Sequence, residues 1–116
     1  MDWRFQSTCL SGLSLRHALV VRLVDARRVL TVREIAASLE AEGFEIEGRS
    51  SKAVSDALRW EVRRGRVVRV GRGQYARGRV SRQTVWRMRK RLAPLRSQLS
   101  LQGETELAYE AEAARH

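Results

Sequence analysis

The sequence predicts a mainly α domain with a small β-hairpin: three helices, the hairpin, and one further helix after it. Three observations carry that expectation. Apolar residues recur at helical spacing in successive windows between residues 14 and 64. Thr31 followed by Glu34 is a capping box, in which each side chain satisfies the other residue's free backbone N–H. The runs Val67 to Val70 and Gln74 to Arg77 flank Gly71-Arg72-Gly73, the pattern of a hairpin with a glycine-bearing turn.

Taken in order, residues 1–13 have no period and read as an irregular N-terminal arm. Ser14 is placed to cap a first helix to about Arg28, with Leu15, Ala18, Leu19, Leu23 and Ala26 on one stripe. Val20, Val21 and Val24 widen that stripe, so most of this helix is expected to be buried. Leu30 to Val32 suggest a short extended piece, and Val32, Ile35, Ala36 and Leu39 mark a second helix over about 31–42, stopped by Gly43. Residues 44–49 read as a connector. Ser50 or Ser51 caps a third helix ending at Gly65, with Val54, Ala57, Leu58 and Val62 inward and Lys52, Ser55, Asp56, Arg59 and Arg63 outward. Val68, Val70, Tyr75 and Trp60 are expected to pack into the core or between elements. Three helices closed by a basic hairpin (α-α-α-β-β, residues 14–79) make a winged helix-turn-helix, with the hairpin as its wing.

Leu30 to Ala76 also resembles the HARE-type winged helix-turn-helix. The residues that carry the likeness are Val32-Arg33-Glu34-Ile35-Ala36, the serine-capped helix from Ser50 to Arg64, and the closing Val68-Arg69-Val70-Gly71-Arg72-Gly73-Gln74-Tyr75-Ala76. The hairpin region is similar, more weakly, to the winged N-terminal domains of AbiEi-like antitoxins and related repressors. The resemblance covers about 47 of the 116 residues and implies a winged fold. The segment after residue 80 matches neither pattern.

Ser81 is placed to cap a fourth, basic helix over 80–102, in which Val85, Met88, Leu92, Leu95 and Leu99 form a heptad seam. Such a stripe needs cover, and a homodimer through it is expected. The alternative folds the stripe back onto the domain, with Trp86 against the first helix. Pro94 is expected to kink or restart the helix and Gly103 to end it. Residues 103–116, with Glu104, Glu106, Glu110 and Glu112, read as an acidic tail, either a frayed helix or disordered.

The charge is unevenly placed. A net +10 arises from 23 Lys and Arg against 13 Asp and Glu. Residues 1–48 hold 6 basic and 7 acidic side chains, whereas residues 49–96 hold 16 basic and 2 acidic. A genome that favours arginine explains 21 Arg against 2 Lys. It does not explain their confinement to one segment, which is the footprint of a polyanion binder.

Several classes are excluded on the residues alone. One cysteine, Cys9, precludes an intramolecular disulfide and any multi-cysteine zinc site. The longest apolar run, Ala18 to Val21, is far below the ~18–20 residues of a membrane span. The N-terminus lacks a basic segment followed by an apolar core, so no signal peptide is expected. His17, His116 and Cys9 stand apart from any catalytic partner, and Gly71-Arg72-Gly73 lacks the Lys-Ser/Thr sequel of a phosphate loop, so no enzyme is expected. No cofactor, metal or small-molecule effector is implied.

The expected function is therefore sequence-specific or semi-specific binding of double-stranded DNA by a cytoplasmic, nucleoid-associated transcriptional regulator. The third helix would read the major groove through Lys52, Ser55, Asp56 and Arg59, with Ser51 and the first N–H groups of the helix on a phosphate, Arg63 and Arg64 on the backbone, and Arg49 among the DNA-binding residues. Arg59 suits guanine O6 and N7; Asp56 accepts from cytosine N4 or pairs with Arg59 or Lys52. Arg72 at the wing tip, with Arg69, Arg77 and Arg79, would meet minor groove or phosphates. The rival readings are a protein-interaction module of the transcription machinery and a nucleoid-type or RNA-binding protein.

Overall fold

The computed structural model describes the backbone of residues 8–115 and side chains through residue 101. In chain order the elements are β1 (Cys9–Leu10), α1 (Gly12–Ala26), β2 (Leu30–Thr31), α2 (Val32–Ala41), β3 (Glu45–Ile46), α3 (Ser50–Arg63), β4 (Val67–Gly71), β5 (Gln74–Arg77) and α4 (Arg82–Arg115). The molecule is mainly helical with a small antiparallel sheet, ordered β2-β5-β4, and a separate parallel pair, β1 with β3. No helix among the described residues is long and apolar enough to cross a membrane.

Helix α1 is the centre. Leu15, Ala18, Leu19, Val20, Val21 and Leu23 are all buried, because α3 packs on one side of it and α4 on another. That is why its apolar stripe is broad: a helix with neighbours on several sides has little surface left for polar residues. Its start differs from expectation. Ser11, not Ser14, is the N-cap; Ser14 sits at the third helical position, where its hydroxyl accepts from Ser11 N–H and donates to Ser11 C=O. The helix stops at Ala26, with Arg27 left-handed at φ 55°.

The arm expected to be irregular is ordered from residue 8. Leu10 is fully buried and lies opposite Ile46, while Cys9 lies opposite Glu45. Two residues of strand gave no period to read, and the pairing lies 36 positions away in sequence. Residues 1–7 lie outside the described residues.

Helix α2 follows its caps. Thr31 Oγ1 accepts from Glu34 N–H, and Glu34 accepts from Thr31 N–H, both at 3.1 Å. Helix α3 begins after Arg49 with no side-chain cap, so neither Ser50 nor Ser51 plays that part. Its inner residues Val54, Ala57 and Leu58 are buried, as expected.

In the hairpin, Val67 opposes Arg77 and Arg69 opposes Tyr75, with an irregularity before Gly71 pairs Gln74, leaving a two-residue tip of Arg72 and Gly73. Gly73 has φ +68°, which a side chain would strain. Leu30, Val67 and Tyr75 share the face against the helices and are buried. Val68 and Val70 are not core: they face away and are 45% and 50% exposed. Strand alternation explains this, since burying Val67 and Tyr75 turns their neighbours outward. Gly78 then passes so close to α3 that a Cβ would stand 2.3 Å from Gly65 O, and its N–H donates to Arg66 C=O at 2.8 Å.

Helix α4 departs most from expectation. Ser81 caps it, accepting from Thr84 N–H at 3.1 Å. Val85, Met88 and Leu92 are buried in the chain's own core, and Leu95 and Leu99 pack against that core. The premise of a dimer seam, an uncovered stripe, therefore does not hold. Arg89 grips Asp25 of α1 through two hydrogen bonds, 2.6 and 3.2 Å, and Arg96 pairs with Glu42 after α2. Trp86 is 56% exposed and lines a cleft with Val24 at the end of α1, with Lys90 Nζ 4.4 Å from the ring centroid. Pro94 stays inside the helix, on its exposed side, and the backbone runs past Gly103 to Arg115. Packing of Leu92, Leu95 and Leu99 holds the helix on both sides of the proline, and one interior glycine costs only about 1 kcal/mol.

Candidate nucleic-acid interface

Clefts border α3 on more than one side. The first lies between α3 and the hairpin, holds about 380 Å³, and is lined by Ser55, Arg59, Val62 and Arg63 of α3, Arg69 and Tyr75 of the hairpin, Val32 and Gly73. No carboxylate lines it. The second lies between α2 and the start of α3, where Arg33 and Glu40 face Arg49, Ser50 and Ser51. Ser51, Ser55, Arg59 and Arg63 recur every fourth residue, so one stripe of α3 runs from the second cleft to the first.

The local chemistry follows from helix geometry. With Val54 and Leu58 turned inward against α1 and α2, positions 51, 55 and 59 must face out toward the hairpin side. The hairpin brings Arg69 to the same groove, where its Nε donates to Gly71 C=O at 3.2 Å. Arg72 is exposed at the tip, and no carboxylate lies within ion-pair distance of Arg49, Arg63, Arg69 or Arg72 among the described residues. Uncompensated guanidinium groups on a concave surface raise the local positive potential.

Two expected contacts stand apart. Asp56 lies on the other flank of α3, in a groove with Leu13, Arg16, Glu47 and Trp60. It accepts from Lys52 Nζ at 2.9 Å and lies 3.9 Å from Arg59, and the Lys52 hydrogen bond holds its carboxyl below the usual range. Of the two roles open to Asp56, the structure shows the pairing. Arg77 lies at the base of the hairpin and opens toward α1 and α4, away from the α3 groove. Arg79 is held by its backbone N–H on Gly65 C=O, beside the end of α3.

Trp60 is half exposed rather than core, with the Arg16 and Arg63 guanidinium carbons 5.4 and 5.9 Å from its ring. Sequence reasoning also missed Arg33 and the buried pair beneath α3. Glu61 is 0% exposed and receives three hydrogen bonds from Arg66, at 2.7 to 3.2 Å. A signal existed: Glu61 falls three and seven residues after Leu58 and Val54, on the apolar stripe, where a charge requires a partner. His17 is buried nearby. Burial first, then Arg91, lowers its pKa, with Glu61 opposing. At the far side, burial and then Glu47 and Glu45 raise the Cys9 thiol, which disfavours the reactive thiolate.

No protein-family model matches this chain, and neither the curated proteins nor the solved structures contain a match. The geometry of the grooves must therefore carry the functional reading.

Proposed function

We propose that this chain is a winged-helix protein that binds double-stranded DNA and regulates transcription, with α3 in the major groove and the β4–β5 hairpin on the minor groove or backbone. The observation that carries the reading is the carboxylate-free groove in which Ser55, Arg59 and Arg63 of α3 meet Arg69 of the wing. The β4–β5 hairpin that follows three helices and takes β2 as a third antiparallel strand supports the winged reading, as does the resemblance of residues 30–76 to HARE-type domains. In this arrangement Arg49, Arg63, Arg69 and Arg72 anchor phosphates, and Arg59 with Ser55 reads base edges. Arg33, facing Arg49 across the second cleft, adds a phosphate contact that α2 supplies.

Binding to random-sequence duplex, followed by anisotropy across a salt series, tests the reading. Neutralising about 6 phosphates gives a slope of log K on log salt near −5. A slope shallower than about −2 contradicts polyanion anchoring. Val68 and Val70, exposed on the outer face of the wing, favour a second reading as a protein-interaction module, for which duplex binding at moderate salt would be absent.

A further inference from the structure

Another cleft lies on the other side of the hairpin. It holds about 440 Å³ between the end of α1, the hairpin base and the first turns of α4, and is lined by Arg27, Arg77, Arg82, Arg89 and Trp86 around Val24, Val80 and Val85. Among the described residues only Arg89 is neutralised, by Asp25. Arg27, Arg77 and Arg82 are exposed, with no carboxylate in ion-pair range among the described residues. Arg77 makes only a long hydrogen bond, 3.4 Å, to Val80 C=O.

Two features show that this is more than a solvated basic face. Arg27 is the one non-glycine residue with positive φ among those described, at the position after α1 where glycine is the low-cost choice. The backbone is strained, yet an arginine stands at the cleft. Trp86 is 56% exposed beside these arginines, and Lys90, which does not line the cleft, holds its ring at 4.4 Å. An exposed indole offers a flat apolar face to a ligand, and backbone strain of the kind at Arg27 concentrates at binding sites.

We propose that this cleft binds a single-stranded nucleic-acid segment, with backbone phosphates on Arg27, Arg77 and Arg82 and an unpaired base against Trp86. Unpaired arginines beside an exposed aromatic platform are the chemistry of single-strand binding. Its basis is independent of the α3 groove, so duplex binding and single-strand binding succeed or fail separately.

The test is anisotropy of labelled eight-nucleotide oligothymidylate and oligouridylate with the full chain at moderate salt. Arg82→Ala/Trp86→Ala is expected to weaken oligonucleotide binding about tenfold or more, and Arg59→Ala/Arg69→Ala by less than about twofold. Arg27→Gly supplies a control that cannot be explained by misfolding: it relieves the left-handed strain, so the melting temperature rises while oligonucleotide affinity falls. The proposal is overturned if the wild type does not bind either oligonucleotide. It is also overturned if Arg82→Ala/Trp86→Ala binds as the wild type does, or if the α3-groove variant loses as much as the cleft variant.

Discussion

Helices α3 and α4 are both basic, yet their arginines do different work. On α4, Arg89 and Arg96 reach back to Asp25 and Glu42, so two cations of the basic segment are spent fastening the helix to the acidic N-terminal half. On α3 and the wing, Arg63, Arg69 and Arg72 have no such partners among the described residues, and there Arg59 has only Asp56 at 3.9 Å. The difference teaches that charge counted along a sequence locates a basic segment, whereas pairing in space locates the part of it left for a ligand. At the end of α3 a third situation holds, in which the fully buried Glu61 is paired with the largely covered Arg66.

The comparison breaks most visibly at the buried pair. Glu61→Ala leaves Arg66 largely buried without its carboxylate, and is expected to cost about 3–5 kcal/mol in denaturant unfolding. A loss under about 1 kcal/mol would mean that Arg66 escapes to water and that the pair has no structural role.

Arg59→Ala sharpens the other side. It is expected to leave stability unchanged and to cost about 1–3 kcal/mol on the best site recovered from a random duplex library, with relaxed preference at one base position. Equal weakening on selected and random DNA would make Arg59 an anchor rather than a reader.

The fastening arginines are expected to show the reverse pattern, on a smaller scale. Arg89 and Asp25 are each nearly half exposed, so Arg89→Ala should lower stability by no more than about 1 kcal/mol in thermal or denaturant unfolding.

The smallest effect concerns pH. His17 has a lowered pKa in the folded chain, so above pH ~6.5 it is neutral in both states and contributes no pH dependence. As pH falls below that value the unfolded chain takes up a proton that the folded chain resists, and stability declines. Asp25 and Asp56, with lowered pKa values, lose their stabilisation only as pH falls further, below about 4. Unfolding measured between pH 7 and 5 should therefore slope downward in the wild type and be flatter in His17→Phe.

Much of this fold was legible in the sequence. Thr31 and Glu34 marked the start of α2, Ser81 that of α4, and the Gly-bearing turn marked the hairpin, because caps and turns are local chemistry. What stayed hidden depended on partners distant in sequence. Leu10 and Ile46 meet across the fold, and no period of two can be read from two residues. The seam from Val85 to Leu99 was visible as a stripe, but whether α1 or a second chain covers it is a tertiary question. The candidate site divides in the same way. Arg59 and Arg63 follow from helical spacing alone, whereas the separation of Arg69 from Arg77 onto different clefts depends on how the hairpin sits between α3 and α4.

The central claim, that pairing rather than charge count selects the duplex-binding surface, is tested most directly by comparing two double variants that each remove two arginines. Salt-dependent duplex binding is measured for Arg63→Ala/Arg69→Ala and for Arg89→Ala/Arg96→Ala. The groove variant is expected to lose two phosphate contacts, making the slope of log K on log salt shallower by roughly 2, while the α4 variant keeps the wild-type slope. Equal losses of slope in the two variants would contradict the claim.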